Sequence, residues 1–240
     1  MTTHSESTHK SSGPVTLAID IGGSGIKAML LSPTGKPLTD RERILTPAIP
    51  TPHAVLAVMD QLIKPLPAFD RASVGFPGVT KHGITYTAVN LHPDWAGFRF
   101  QAELEKRWKK PVRVANDAAI QGYGAVKGEG IEMIVTLGTG MGSALFVDGH
   151  LCPLELGHHP WRKKTYEDYI GIRGLENHGK DKWNKRVQEA IKQIQFTFNL
   201  DHLYLGGGNT KKIEFKMPQH VTIVSNEAGL LGGVALWRNQ

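Results

Sequence analysis

A carboxylate, a hydroxyl and an ammonium surround a glycine cluster early in this sequence, in Asp20-Ile-Gly-Gly-Ser-Gly-Ile-Lys27. Gly22, Gly23 and Gly25 give the backbone freedom to turn several N–H groups toward one anion, Ser24 and Lys27 add a hydroxyl and a cation, and Asp20 sits at the rim. This is the chemistry of holding a phosphate. The spacing is neither GxxxxGK[ST] nor a GxGxxG that opens a helix, so the two commonest nucleotide loops do not apply, and a glycine hairpin without a ligand is the alternative. More than a hundred residues later, Gly138-Thr-Gly-Met-Gly142 repeats the pattern between two apolar runs. Two such hairpins, each opening a strand-rich half, point to duplicated lobes that clamp a chain of phosphates; in the second, Thr139, Gly140 and Gly142 occupy the turn as Gly22, Gly23 and Gly25 do in the first.

Between the hairpins stands Asn116-Asp-Ala118, directly after an apolar run. Asp117 has two readings. It can cap the helix that follows, or it can project from a strand end into a cleft and accept a proton from a substrate hydroxyl. The turn at Pro77-Gly78 reads as a type II turn or as a strand end that opens onto a site. Asn90 is a turn former or a hydroxyl binder. Glu155 and His158 suit recognition of sugar hydroxyls, one accepting and the other donating. Glu167 either reaches the same site or lies on a solvated face. A zinc ion bound with Cys152 is disfavoured, because there is one cysteine and the spacing is wrong. Gly206, Gly207, Gly208 and Asn209 end another apolar run and leave backbone exposed for a nucleotide base or a row of phosphates.

The elements that must position these groups alternate between strand and helix. Stretches at 17–21, 26–31, 72–76, 111–115, 133–137, 143–147, 201–205 and 221–225 read as strands, 41–45 can form another, and Asp148-Gly149 is a hairpin turn. Helical spacing covers 53–63, stopped by Pro65 and Pro67, then 100–109, 116–126, 180–198 and 226–237. The pattern is α/β. The helix at 180–198 is amphipathic and carries a one-sided set of cations that includes Lys180, Lys182, Lys185 and Arg186.

At 240 residues the chain suits one compact domain or two small lobes. A net charge of +6 points to a polyanionic partner or to a solvated basic surface. No apolar run is long enough for a membrane span, and residues 1–13 are polar without the apolar core of a signal peptide, so the expectation is a cytoplasmic protein with a disordered tail.

Taken in order, Asp20 to Lys27, Gly75-Phe-Pro-Gly78, Asn116-Asp-Ala118, Leu137 to Gly142, Glu155-Leu-Gly-His158, Leu205-Gly-Gly-Gly-Asn209 and Asn226-Glu-Ala-Gly229 resemble the ROK family of sugar kinases and repressors. Within it, the short chain, basic helix and missing cysteines are most similar to the bacterial polyphosphate-dependent glucokinases and glucomannokinases. Where a typical member has a cysteine-rich zinc motif, this sequence has Trp161-Arg-Lys-Lys164, so no zinc site is carried over. The polar tail leaves no room for the DNA-binding segment of a repressor, and neither nucleic acid nor a membrane is an expected partner.

The resemblance implies an actin-like, ribonuclease-H-like fold with an interlobe cleft. Residues 14–115 with 226–240 would form the small lobe and 116–225 the large one. It makes Asp117 the general base for a sugar 6-hydroxyl. Asn90, Asn116, Glu155, His158, Glu167 and Gly78 would contact the sugar, either glucose or mannose. The glycine-loop residues above, with Ser24, Lys27 and Asn209, would hold the donor, polyphosphate or ATP, and Asp20 would act through Mg²⁺ or its waters. Lys163, Lys164, Arg173, Lys180, Lys182, Lys185 and Arg186 would extend a polyphosphate track. The family also suggests a homodimer. A non-catalytic sugar or polyanion sensor on the same fold is the alternative.

Overall fold

The computed structural model describes residues 13–88, 91–225 and 228–237. Asn90, most of the polar tail, and Asn226 and Glu227 lie outside them. Strands β1 (Thr16–Ile21) and β2 (Ile26–Leu31) form the first hairpin, with Asp20 opposite Lys27, and β3 (Glu42–Ile44) extends it at the edge. Helix α1 (Pro52–Ile63) starts at Thr51, whose hydroxyl accepts from the Ala54 N–H, and has Pro at its first position. Then β4 (Arg71–Phe76) runs parallel to β1. After a small hairpin of β5 (Thr80–Lys81) and β6 (Ile84–Thr85) comes α2 (Phe100–Trp108), followed by β7 (Val112–Asn116) parallel to β4. The sheet order is β3-β2-β1-β4-β7.

Helix α3 (Asp117–Tyr123) leads to the second half, where the plan repeats. Strands β8 (Ile131–Leu137), β9 (Met141–Val147) and β10 (His150–Cys152) form an antiparallel meander. The short pair β11 (Pro160–Trp161) and β12 (Lys164–Thr165) precedes helices α4 (Tyr166–Ile170), α5 (Ile172–His178) and α6 (Lys180–Phe198). Parallel strands β13 (His202–Gly206) and β14 (Val221–Ile223) complete the order β10-β9-β8-β13-β14. Both sheets thus have the same order and the same strand directions, which is the duplication that the two glycine hairpins announce.

Burial on both faces explains the near-continuous apolar runs of the central strands. In β1, Leu17, Ile19 and Ile21 face Val55, Leu56 and Met59 of α1, while Ala18 clusters with Val234 of the last helix, α7 (Ala228–Ala235). In β8, Met133, Val135 and Leu137 face Trp183, Val187 and Ile191 of α6, while Ile134 packs with Ala119 and Ile120 of α3. Helices α3 and α7 also pack on each other. The chain beyond α7 is pinned to the first sheet: Trp237 donates to Ser73 Oγ at 2.8 Å, and its ring lies against the guanidinium groups of Arg71 and Arg113 at 4.9 and 4.3 Å.

The sequence reading missed β5, β6, β11 and β12, which at two residues each carry no periodicity, and α5, whose seven residues include Gly174. Among the described residues no helix is long and apolar enough to cross a membrane.

Gly232 lets α7 approach α3. A Cβ there would lie 1.8 Å from the Ile120 carbonyl oxygen, so the backbones must separate to admit one. Gly232→Ala is expected to lower Tm by roughly 3–10 °C, the equivalent of about 1–3 kcal/mol of overpacking. An unchanged melting curve would show that the α3–α7 contact is loose.

Candidate active site

The carboxyl ends of β1, β4 and β7 and the β8–β9 turn meet at one cleft of about 840 Å³. At its floor, β7 passes into α3 through Asn116. The Asn116 Oδ1 accepts from the Ala118 and Ala119 N–H groups at 2.8 and 3.3 Å, and its Nδ2 donates to the Gly78 carbonyl at 3.2 Å. Asn116 is therefore the N-cap, and it also ties α3 to the Pro77–Gly78 turn. The cap is thus supplied by Asn116, and the Asp117 carboxylate lines the cleft, held by the Ala118 N–H at 2.7 Å. Gly78 is required by space, since a Cβ would lie 2.0 Å from the Thr87 carbonyl oxygen.

The first glycine turn closes through the Gly22 N–H to the Gly25 carbonyl at 3.0 Å, and the second through the Gly138 N–H to the Gly140 carbonyl at 3.1 Å. Gly22, Gly23, Ser24, Thr139, Gly140 and Gly142 all line the cleft. So do Asp20 and Lys27, which form an ion pair at 2.9 Å. From the second half come Glu155, His158 and Glu167, with His158 Nε2 3.8 Å from Glu167 Oε1, and the backbone of Gly207 and Gly208. Glu167 stands directly over the second turn. A Cβ on Gly140 would come within 2.5 Å of its Oε2.

Three of the residues expected to hold phosphate stand apart from the cleft lining. Gly25, Gly206 and Asn209 do not line the cleft but shape the loops that do. Gly25 packs under Arg43, where a Cβ would lie 2.5 Å from the Arg43 Nε, and the same guanidinium donates to the Ser24 carbonyl at 3.0 Å. Gly206 is buried against the Gln121 amide, 2.7 Å from where its Cβ would be. The Asn209 Nδ2 donates to the Gly138 carbonyl at 2.8 Å and so braces the second turn. The seven cations of the expected track also lie outside the cleft. Arg41, Thr87, Gln121 and Thr136 line it unannounced. Only Thr136, one residue before a glycine-bounded strand end, had any signal in the sequence.

Electrostatically the cleft is unusual for its crowded carboxylates. Burial, then the negative charges of Asp20 and Glu155, push Asp117 up to about 7, with the Ala118 N–H pulling the other way. Burial also raises Glu155, opposed by His158 and assisted by Glu167. Among the described residues no group of three or more His, Cys, Asp or Glu side chains is placed to hold a metal ion. The segment that replaces a cysteine-rich motif is the β11–β12 hairpin, where Trp161 stacks on Tyr166 with centroids 4.8 Å apart and planes 7° from parallel.

Comparison with known proteins agrees with this geometry. The sequence pattern of the ROK family matches residues 16–164. The chain belongs to the ROK family. Polyphosphate glucokinase of Mycobacterium tuberculosis (strain ATCC 25618 / H37Rv) is 30% identical over 254 residues, covering 97% of this chain and 96% of that one. N-acetylmannosamine kinase of Escherichia coli (strain SE11) is 34% identical over 144 residues, 57% of this chain and 48% of that one. Among solved structures, the inorganic polyphosphate/ATP-glucomannokinase of Arthrobacter sp. strain KM superposes with a TM-score of 0.84 at 31% identity, covering 93% of this chain and 98% of that one. The ROK glucokinase of Streptomyces griseus, solved with glucose and AMPPNP, gives 0.76 at 18% identity over 93% and 99% of the two chains. The full-length alignment sets this chain among the family's sugar kinases. Its fold is the actin-like, ribonuclease-H-like one, two lobes with the cleft between them.

The raised Asp117 has a consequence for stability. A carboxyl that holds its proton more tightly in the folded state makes stability fall as pH rises from its ordinary value near 3.8 to its folded value near 7. Above that range the unfavourable ionisation is fully present; below it, it is absent. Asp117→Asn, which keeps the acceptor for the Ala118 N–H, is expected to melt a few degrees above the wild type at pH 8, and the difference should vanish near pH 4. Thermal melts at the two pH values check this; a variant no more stable than wild type at pH 8 would contradict it.

Proposed function

We propose that this protein transfers the terminal phosphoryl group of inorganic polyphosphate to the 6-hydroxyl of glucose, with Asp117 as general base. The observation that carries the reading is Asp117 itself, a carboxylate on the cleft floor between two phosphate-sized glycine turns, with a proton affinity close to neutrality. In the step, Asp117 takes the hydroxyl proton as the sugar oxygen bonds to the terminal phosphorus. The bond from that phosphorus to the bridging oxygen breaks, and the shortened polyphosphate leaves with the electron pair.

The surrounding residues divide the work as phosphoryl transfer requires, which is mostly positioning and charge neutralisation. Backbone N–H groups of the two glycine turns and Lys27 would meet the phosphates. Glu155, His158 and Glu167 on one wall would meet the sugar hydroxyls, with Asn90 as the further contact that the family resemblance implies. The side-chain amide of Asn116 is engaged at both ends within the protein, so its contribution would be to fix the α3 entry. Glucose and polyphosphate are supported by the full-length likeness to polyphosphate glucokinases, and mannose and ATP as further substrates by the likeness to the Arthrobacter glucomannokinase. A homodimer is the family expectation.

The donor set also fits a magnesium ion, which keeps most of its waters and binds through one or two carboxylates together with substrate phosphates. Asp20 meets that need: it is partly exposed, lies on the cleft wall and has Lys27 as its only ion-pair partner among the described residues. Bound there, the ion would neutralise charge developing between the phosphates, with Asp20 orienting it and Lys27 turning to a phosphate oxygen.

Asp117→Ala is expected to lower kcat by at least about a hundredfold with little change in sugar affinity, as for loss of a general base. Near-normal turnover by a folded variant would overturn the assignment. A coupled assay that pairs glucose or mannose with long-chain polyphosphate or ATP and measures the sugar 6-phosphate should show turnover with glucose and polyphosphate. Absence of turnover in every pairing would favour a non-catalytic sensor.

A further inference from the structure

The cleft that is to take a chain of phosphates is lined by more acids than bases. Asp20, Asp117, Glu155 and Glu167 face it, whereas the permanent cations among the described lining residues are Lys27 and Arg41. Bringing a polyanion beside those acids is costly unless the cations can turn to it. Lys27 is already engaged, because Asp20 holds its ammonium at 2.9 Å. Arg41 has no such partner: it is an exposed residue on the cleft wall that forms no ion pair or hydrogen bond among the described residues.

The register of the first sheet fixes where that guanidinium stands. Ala115, Gly75, Asp20, Lys27 and Arg43 are successive partners across β7, β4, β1, β2 and β3, so they form one row from edge to edge. Asp117 follows two residues after one end of the row, and Arg41 precedes the other end by two. Four strand spacings, about 19 Å, separate those edges, with Asp20 and Lys27 between them. The backbone that carries Arg41 is held on both sides. Just before it, Thr39 Oγ1 accepts from the Leu30 N–H at 3.1 Å, and just after it β3 pairs with β2.

The two arginines at this edge have different work. Arg43 donates to the Ser24 carbonyl at 3.0 Å and packs beneath Gly25, so its guanidinium belongs to the first glycine turn. Arg41 has no comparable task within the protein, although a planar fork of donors is the side chain best matched to phosphate oxygens.

We infer that Arg41 is a donor-binding residue, whose guanidinium takes phosphate oxygens on the leaving-group side of the bond that breaks, at the end of the cleft remote from Asp117. The inference rests on the phosphoryl-transfer reading and adds a residue to it. The width of the sheet keeps Arg41 away from the sugar oxygen that Asp117 would deprotonate, so its contact is with the part of the donor that departs.

The test uses the full chain with R41Q and R41K. Because Arg41 has no partner in the protein, R41Q is expected to keep the wild-type Tm and the wild-type KM for glucose. Its KM for long-chain polyphosphate should rise at least about tenfold, the effect of losing one charged contact. R41K keeps the charge without the fork and should recover part of that loss. Calorimetric titration with long-chain polyphosphate should rank affinity as wild type, then R41K, then R41Q. A wild-type donor KM in folded R41Q, or a glucose KM that rises as much as the donor KM, would refute the contact. If wild type turns over no pairing of sugar and donor, the phosphoryl-transfer reading fails and titration alone decides: weaker polyphosphate binding by R41Q keeps Arg41 as an anion contact, and equal binding removes it.

Discussion

A carboxyl set deep in a cleft beside two other acidic side chains gives up its proton reluctantly, and the site depends on keeping one in that condition. Asp117 lines a protein-walled floor with Asp20 and Glu155 close enough to raise its proton affinity. Were it solvated like a surface aspartate, it would be ionised at all ordinary pH and a weak acceptor for an alcohol proton. Holding it there demands that neighbouring polar groups be satisfied by one another. Asn116 caps α3, Lys27 offsets Asp20, and His158 stands near Glu167. Each of these pairs is local, joining an element to its neighbour in the chain.

The duplicated sheet order explains how that environment is built. Each half ends a central strand at a glycine turn, so the same architecture brings a glycine turn to the cleft twice. The helices α3 and α7 fill the space between the sheets, and the small residues that face each other there allow close backbone approach. Asp117 is the first residue of α3, so the packing of that helix positions the carboxylate. Bracing continues behind the turns. Arg43 grips the first through the Ser24 carbonyl, and Asn209 the second through the Gly138 carbonyl. Turns held from behind keep their shape through the protein's own contacts.

Much of this was legible in the sequence because burial on both faces writes long apolar runs. The central strands and the 19-residue α6 fall within a residue or two of where their patterns put them. The two-residue hairpins and α5 were not legible, being too short for any period to develop. Within the site, residue type announced the glycine turns but not which glycines face the cleft. Gly25 and Gly206 differ from Gly22 and Gly207 only through Arg43 and Gln121, side chains distant in sequence. The same limit applied to charge: the basic face of α6 could be read directly, whereas the pairing of Lys180 with Glu214 joins residues distant in sequence. From its own segment Asp117 read as cap or base; the structure gives the cap to Asn116 and leaves the Asp117 carboxylate on the cleft.

The central claim is that Asp117 is a desolvated carboxylate whose proton affinity is set by its cleft neighbours. The direct measurement is the titration of its carboxyl carbon by NMR in protein labelled with ¹³C aspartate, assigned by comparison with Asp117→Asn and repeated in Asp20→Asn. The account predicts a midpoint near 7 in the wild type that falls once the Asp20 charge is removed. A midpoint near 4 that ignores Asp20 would contradict it.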